Sequence, residues 1–193
     1  MRYSKEHKAE TRQRILDVAA PLLRRDGFSA VSVDKLMRAA DLTRGGFYAH
    51  FQSKEQLIES ILSRNAGLVR MLDEREGDKA QDLNAQALDI LKQYLDPQNL
   101  DEIIEGCPLA TMPIDATRSS PRLRGAYGTR FWALIEQLKR GFGKRKRDEE
   151  DAIVAAVIAV GGIVFARATT SVEHSAKIEA ACAKHIATML DAT

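Results

Sequence analysis

Apolar residues recur every three or four positions along the chain, and no stretch alternates apolar with polar as a half-buried strand would. Over residues 7–25, Ile15, Val18, Ala19, Leu22 and Leu23 share one face, which predicts a helix stopped by Asp26-Gly27. Pro21 inside it removes a backbone hydrogen bond, a typical cost of about 3 kcal/mol, and predicts a kink. Ser32 is the expected N-cap of a second, short helix with Val33, Leu36, Met37 and Ala40 on one side. Asp41-Leu42 makes a tight turn, and Thr43 caps a third helix of barely two turns over residues 44–50, with Phe47 and Phe51 inward. Ser53 and Gln56 form a capping box for a long fourth helix. Its apolar positions run from Leu57, Ile58, Ile61 and Leu62 to Leu68, Val69 and Leu72, ending near Gly77.

Further helices are marked by Leu83, Ala87, Leu88, Leu91 and Leu95, with a break at Asp96-Pro97. Another opens at Cys107-Pro108 and reaches about Thr117. Ser120-Pro121 starts a longer one through Leu123, Tyr127, Phe131, Leu134, Ile135, Leu138 and Phe142. Residues 152–166 carry no charge and are apolar on every face. These 15 residues fall short of the roughly 20 that span a bilayer, so the expectation is a buried helix of a soluble protein. Val172, Ile178, Cys182, His185 or Ile186, and Met189 mark a last amphipathic helix. The fold class is therefore all-α with about nine helices: an N-terminal three-helix helix-turn-helix domain over residues 1–52 and a helical domain over residues 53–193.

With 193 residues, 45% hydrophobic and 29% charged, the chain has enough apolar surface for a core, which excludes a collagen-like or disordered chain. Two cysteines supply neither a disulfide framework nor a zinc pair, and His174 and His185 lie three turns apart, so no metal site is expected. No phosphate-binding, nucleophile-elbow or zinc-protease motif appears, which points away from an enzyme and from a cofactor. The charged start MRYSKEHKAE lacks a secretory apolar region, so a cytoplasmic location without membrane attachment is expected. Net charge is only +2, but residues 1–55 hold eleven Lys and Arg against seven acids. A basic first quarter suits a polyanionic partner. The run Lys144-Arg145-Lys146-Arg147, beside four acids, reads as a solvated loop.

Two short helices joined by a tight turn behind a packing helix form a helix-turn-helix, whose second helix can lie in the major groove of double-stranded DNA. Thr43 offers a hydroxyl and Arg44 a fork for guanine or phosphate. Gly45-Gly46 remove side chains, so the backbone can approach a duplex; two helical glycines cost about 1 kcal/mol each and want such a reason. Tyr48, His50 and Lys54 fall on the outer face at phosphate height. The string from Val31 to Leu57, with its Phe47-Tyr48-x-His50-Phe51-x-Ser53-Lys54-Glu55 core, closely resembles the DNA-binding domain of the TetR family of transcriptional regulators. The resemblance is strong over residues 8–62. It implies an all-helical homodimer with an N-terminal reader and a C-terminal ligand-binding and dimerisation domain. The implied function is that of a repressor released from a palindromic operator by a small-molecule effector. It also implies that Thr43, Arg44, Gly45, Tyr48, His50 and Lys54 touch DNA, with Ser32 as a backbone contact. Ala49 and Gly46 depart from relatives with larger side chains there, so base readout leans on Arg44 and on duplex shape.

Tyr94, Cys107, Met112, Asp115, Tyr127, Phe131 and Trp132 form a set able to line a mostly apolar effector cavity; at helical spacing, plain core is the competing reading. Cys107, before Pro108 at a helix start, is open to two readings: a redox or electrophile sensor and an ordinary buried thiol. Ala155, Ala156, Ala159, Gly161, Gly162 and Ala166 are expected to let the last two helices approach those of a second protomer. The rival function is a helical small-molecule sensor or carrier without DNA binding, against which the intact Thr43 to Lys54 string argues.

Overall fold

The computed structural model describes residues 5–77, 79–96, 106–142 and 148–191, and every regular element among them is helical. The elements are α1 (Lys5–Asp26), α2 (Val33–Ala39), α3 (Arg44–Phe47), α4 (Lys54–Leu62), α5 (Gly67–Asp73) and α6 (Ala80–Tyr94). They continue with α7 (Pro108–Thr111), α8 (Pro113–Thr117), α9 (Pro121–Phe142), α10 (Asp148–Ala168) and α11 (Val172–Asp191). The break expected at Pro97 and the basic run at 144–147 lie outside the described residues.

Two compact units form. The first comprises Met1–Arg64 and Met112–Tyr127. Its core joins Ile15, Ala19 and Leu23 of α1 to Leu36, Met37, Phe47, Phe51, Leu57, Ile61 and Leu62, all buried. Met112 and Leu123 belong to the same core, with Tyr127 packed against it. A segment from the middle of the chain thus completes what the first 64 residues begin. Gly27, at φ +83°, stops α1, its N–H donating to Leu23 O at 3.0 Å. Pro21 sits within α1, which continues to Asp26.

Three expectations about element length give way. The fourth helix does not run to Gly77: α4 ends at Leu62 and α5 restarts at Gly67. Gly67 adopts φ +58°, and a Cβ there would lie 2.7 Å from the Cys107 Cα, so a close backbone approach interrupts a helix that periodicity alone carries through. The segment from Cys107 to Thr117 divides into α7 and α8 because Pro113, at the first position of α8, has no N–H to continue α7. The third helix is α-helical only over Arg44–Phe47, and continues as hydrogen-bonded turns to Phe51.

The second unit comprises Asn65–Thr111 and Gly128–Thr193. Within it, Arg75 ties three helical segments together: Nε donates to Leu72 O and Nη1 to Leu83 O, each at 2.8 Å, and Nη2 donates to Gln137 O. Burial pushes its pKa down to about 10. Helix α10, at 21 residues, is longer than its uncharged stretch, because its first turn includes the acids from Asp148. By length and composition it could cross a membrane, and 44% of its apolar window is buried inside the protein.

The face expected to meet a second protomer is mostly used within this one. Ala152, Ala155, Ala156, Ala159, Ile163 and Ala166 are buried, and a Cβ on Gly162 would lie 2.7 Å from Cys182 Sγ of α11. At 100° per residue the opposite face carries Val154, Val157, Gly161 and Phe165. There the three large side chains are 44%, 54% and 69% exposed, and nothing lies within 4 Å of a Cβ on Gly161.

Candidate nucleic-acid interface

The turn between α2 and α3 is built by hydrogen bonds that the sequence specifies. Ser32 caps α2, its Oγ accepting from Lys35 N at 3.1 Å. At the other end Asp41 takes φ +55°, its N–H donating to Arg38 O at 3.1 Å while Leu42 N donates to Met37 O at 2.8 Å. This is the left-handed helix stop usually given to glycine, here held by an aspartate. Thr43 follows at the N-cap of α3 without a side-chain cap bond, and the residue is exposed. Phe47, fully buried, anchors α3 in the core, with the Tyr48 ring edge-on to it at 5.3 Å and the Phe51 ring tilted at 5.5 Å.

That anchoring turns a defined set outward. Nothing lies within 4 Å of a Cβ built on Gly45, and one on Gly46 would meet only Thr43 Oγ1 at 3.6 Å and Met37 Cε at 3.7 Å. Neither glycine has a positive φ, so neither backbone geometry nor internal packing requires them. Tyr48 is 58% exposed. Arg44 Nη1 pairs with Asp34 at 3.1 Å in an exposed ion pair. His50 has its Nδ1 buried without a hydrogen-bond partner, and burial together with Lys8, Arg12 and His7 holds its pKa below the usual histidine value. Arg12 lies 4.7 Å from the Phe51 ring centroid and donates to Ser60 Oγ at 3.1 Å. Sequence reasoning missed these cations of α1; Lys8 and Arg12, four residues apart on one helix, were the available signal.

Lys54 behaves differently from Arg44. Its Nζ donates to Phe28 O, and burial lowers its pKa, with the nearby Asp115 carboxylate opposing. Asp115 Oδ1 accepts from Phe28 N at 3.0 Å, and both carboxylate oxygens lie 3.2 Å from where a Gly27 Cβ would stand. The turn from α1 to α2 is therefore held by side chains of α4 and α8, which satisfy both backbone groups of Phe28. Ser120 adds a bond to Glu55, and Arg122 donates through Nε to Glu59 at 3.0 Å.

The candidate effector residues are not brought together in one unit. Met112, Asp115 and Tyr127 belong to the first, and Tyr94, Cys107, Phe131 and Trp132 to the second. Tyr94 and Cys107 are buried, with Tyr94 OH donating to Cys107 Sγ at 3.2 Å, whereas Trp132 is half exposed. Buried Arg130, which sequence reasoning missed, lies in the second unit as well. Among the described residues no group of three or more His, Cys, Asp or Glu could hold a metal ion.

The family model for bacterial regulatory proteins, tetR family, matches residues 15–61. The chain is 43% identical over 60 residues to the HTH-type transcriptional regulator AcrR of Shigella flexneri, a stretch that is 31% of this chain and 28% of AcrR. The match thus spans little more than a quarter of that relative's length. Over the whole fold, the reduced form of NemR from E. coli superimposes with a TM-score of 0.72 at 21% identity, covering 90% of this chain and 95% of NemR. SmeT in its triclosan complex gives 0.69 at 15% identity, covering 93% and 90%. Residues 15–61 thus carry the DNA-binding motif of the tetR family, on an all-helical fold shared with these solved structures along nearly the full chain.

Proposed function

We propose that the protein is a sequence-specific DNA-binding transcriptional regulator, a repressor that a small-molecule effector releases from a palindromic operator. The observation that carries this reading is the outer face of α3. Gly45 stands there in open space and Gly46 beside it has room for a Cβ at ordinary contact distance, between exposed Arg44 and Tyr48, at positions where internal packing gives no reason for glycine. A duplex backbone or base edge approaching closely supplies that reason. Thr43, Arg44, Tyr48 and His50 are the direct contacts, Ser32 adds a backbone contact at the start of α2, and Lys54 serves the surface by holding the α1–α2 turn. Residues 1–52 read DNA and residues 53–193 bind effector and dimerise, in a cytoplasmic, non-enzymatic protein.

A second copy of the chain covers the apolar stripe of Val154, Val157 and Phe165, since an exposed patch of that kind favours association. Two readers on a two-fold axis require half-sites about one helical turn, roughly 34 Å, apart. The effector works only through unequal affinity for two reader spacings. The small organic ligand in the SmeT complex supports the effector class. Selection from randomised duplexes with purified protein tests the reading: a two-fold symmetric site is expected, lost with Arg44→Ala. No enriched sequence means the protein is not a reader of DNA.

A further inference from the structure

Arg75 and Arg130 are both buried in the second unit, and their guanidinium groups are used in opposite ways. Arg75 places Nε, Nη1 and Nη2 each on a backbone carbonyl. Arg130, on α9 and 8% exposed, is anchored through Nη2 alone, which donates to Asn65 Oδ1 at 3.0 Å and Ala66 O at 2.8 Å. Its Nε is buried with no hydrogen-bond partner among the described residues. Both anchors are uncharged. Asp73, whose charge reaches Arg130, is itself held by Asn65 Nδ2 at 3.0 Å and Gln137 Nε2 at 2.8 Å. The amide of Asn65 therefore stands between the acid and the guanidinium, and fixes the plane in which Nε points.

A buried donor without an acceptor is costly, more so when it carries charge. Glu179, also buried with an unpartnered oxygen, differs in kind: burial pushes its carboxyl pKa above the usual range, because a carboxyl has an uncharged form that burial favours. A guanidinium has no such form, because it stays charged at any pH the protein meets. No described residue supplies the acceptor. A single oriented N–H on one cation suits a monoanionic oxygen; a phosphate, with nearly two charges and three oxygens, requires further donors. Cys107, buried in this unit and within electrostatic reach of Arg130, accepts from the buried Tyr94 hydroxyl.

We propose that Arg130 anchors the carboxylate of an organic monoanionic effector, one carboxylate oxygen accepting from Nε while Nη2 stays on Asn65 and Ala66. The site rests on the geometry around Arg130, and its regulatory role on the preceding functional reading. Benzoate and octanoate are the probes, with benzamide and octanamide as uncharged controls, followed by thermal shift at pH 7.5. Full-length protein should show a saturable rise of about 3–5 °C at tenfold the dissociation constant for a carboxylate, and no rise with its amide. Arg130→Gln should weaken carboxylate binding at least tenfold. Should that variant fold poorly, the Arg130 Nε–H resonance of the parent protein carries the test, since it must shift on adding carboxylate and not on adding amide. Equal responses to acid and amide, a parent and Arg130→Gln that bind alike, or an Nε–H that does not move each overturn the proposal. Duplex binding by the same preparation without ligand tests the regulator reading separately, so the two failures are distinguishable.

Discussion

Gly45→Ala separates stability from function at the centre of the proposed DNA surface. The added methyl meets nothing within 4 Å, and the backbone there has no positive φ to strain. Alanine exceeds glycine in helix propensity by about 0.8–1 kcal/mol in a helix interior, and position two of a four-residue helix retains about half of that or more. A gain of about 0.5–1 kcal/mol raises Tm by about 1–4 °C in a chain of this length. On a duplex the same methyl occupies the space of a close contact. Losing the equivalent of one good base contact, about 1–3 kcal/mol, weakens binding roughly 5- to 150-fold. Scanning calorimetry and fluorescence anisotropy on the selected operator, at one fixed salt concentration, read the two effects on the same protein. Gly67→Ala is the counter-case: positive φ and a 2.7 Å approach to Cys107 Cα mean it must destabilise, with no direct effect on DNA. A stabilised Gly45→Ala that binds DNA like its parent would refute the reason given for the glycine. A destabilised one would refute the claim of open space.

Three further outcomes follow from single contacts. Asp115→Ala leaves Phe28 N without its acceptor and should cost about 1–3 kcal/mol in urea denaturation, whereas Asp115→Asn, which keeps an oxygen, should cost less. Phe165→Glu, on the exposed stripe of α10, should convert a dimer to monomers in sedimentation equilibrium at micromolar concentration. Glu179 has its pKa raised by burial, so the folded state holds a proton that the unfolded chain releases; stability is full below the usual glutamate range and falls as pH rises towards the raised value. Glu179→Gln should flatten that fall and stabilise the protein at pH 8, as followed by thermal melts from pH 4 to 8.

The legible parts of the molecule were those written in neighbouring residues. Ser32 and Gly27 act through atoms within five positions of themselves, and Phe47 falls at helical spacing with Phe51, so caps, stops and the inward face of α3 could be read from spacing. What spacing cannot report is a contact between distant segments. Asp115 meets Phe28 across 87 positions, and it looked like a ligand anchor because an acid among apolar residues carries no mark of its partner. Gly67 sits in a pattern whose apolar positions run on uninterrupted; only the nearness of Cys107 gives its positive φ a purpose. Gly162 of α10, against Cys182 of α11, shows a related limit: small residues announce a close approach, and sequence is silent on whether α11 or a second protomer makes it.

The two cations read from sequence as equal partners of DNA are unequal in the structure, and that inequality can be measured. Arg44 pairs with Asp34 where both side chains are largely exposed, 66% and 49%. Such a pair is worth under about 1 kcal/mol, so the guanidinium can turn to a duplex at little cost. Lys54 is partly buried, donates to the carbonyl of Phe28 and shares that turn with Asp115. Withdrawing it would leave a carbonyl to which no other described group donates. Arg44→Ala should therefore leave Tm within about 1 °C of the parent while lowering duplex affinity, and reduce the salt slope by about one if the contact is to phosphate. Lys54→Ala should lower Tm by several degrees and weaken DNA binding at every salt concentration alike, with the slope unchanged. If instead Lys54→Ala removes about one unit of slope and leaves the melting point where it was, then Lys54 abandons Phe28 in the complex and neutralises a phosphate, and the turn is held by Asp115 alone.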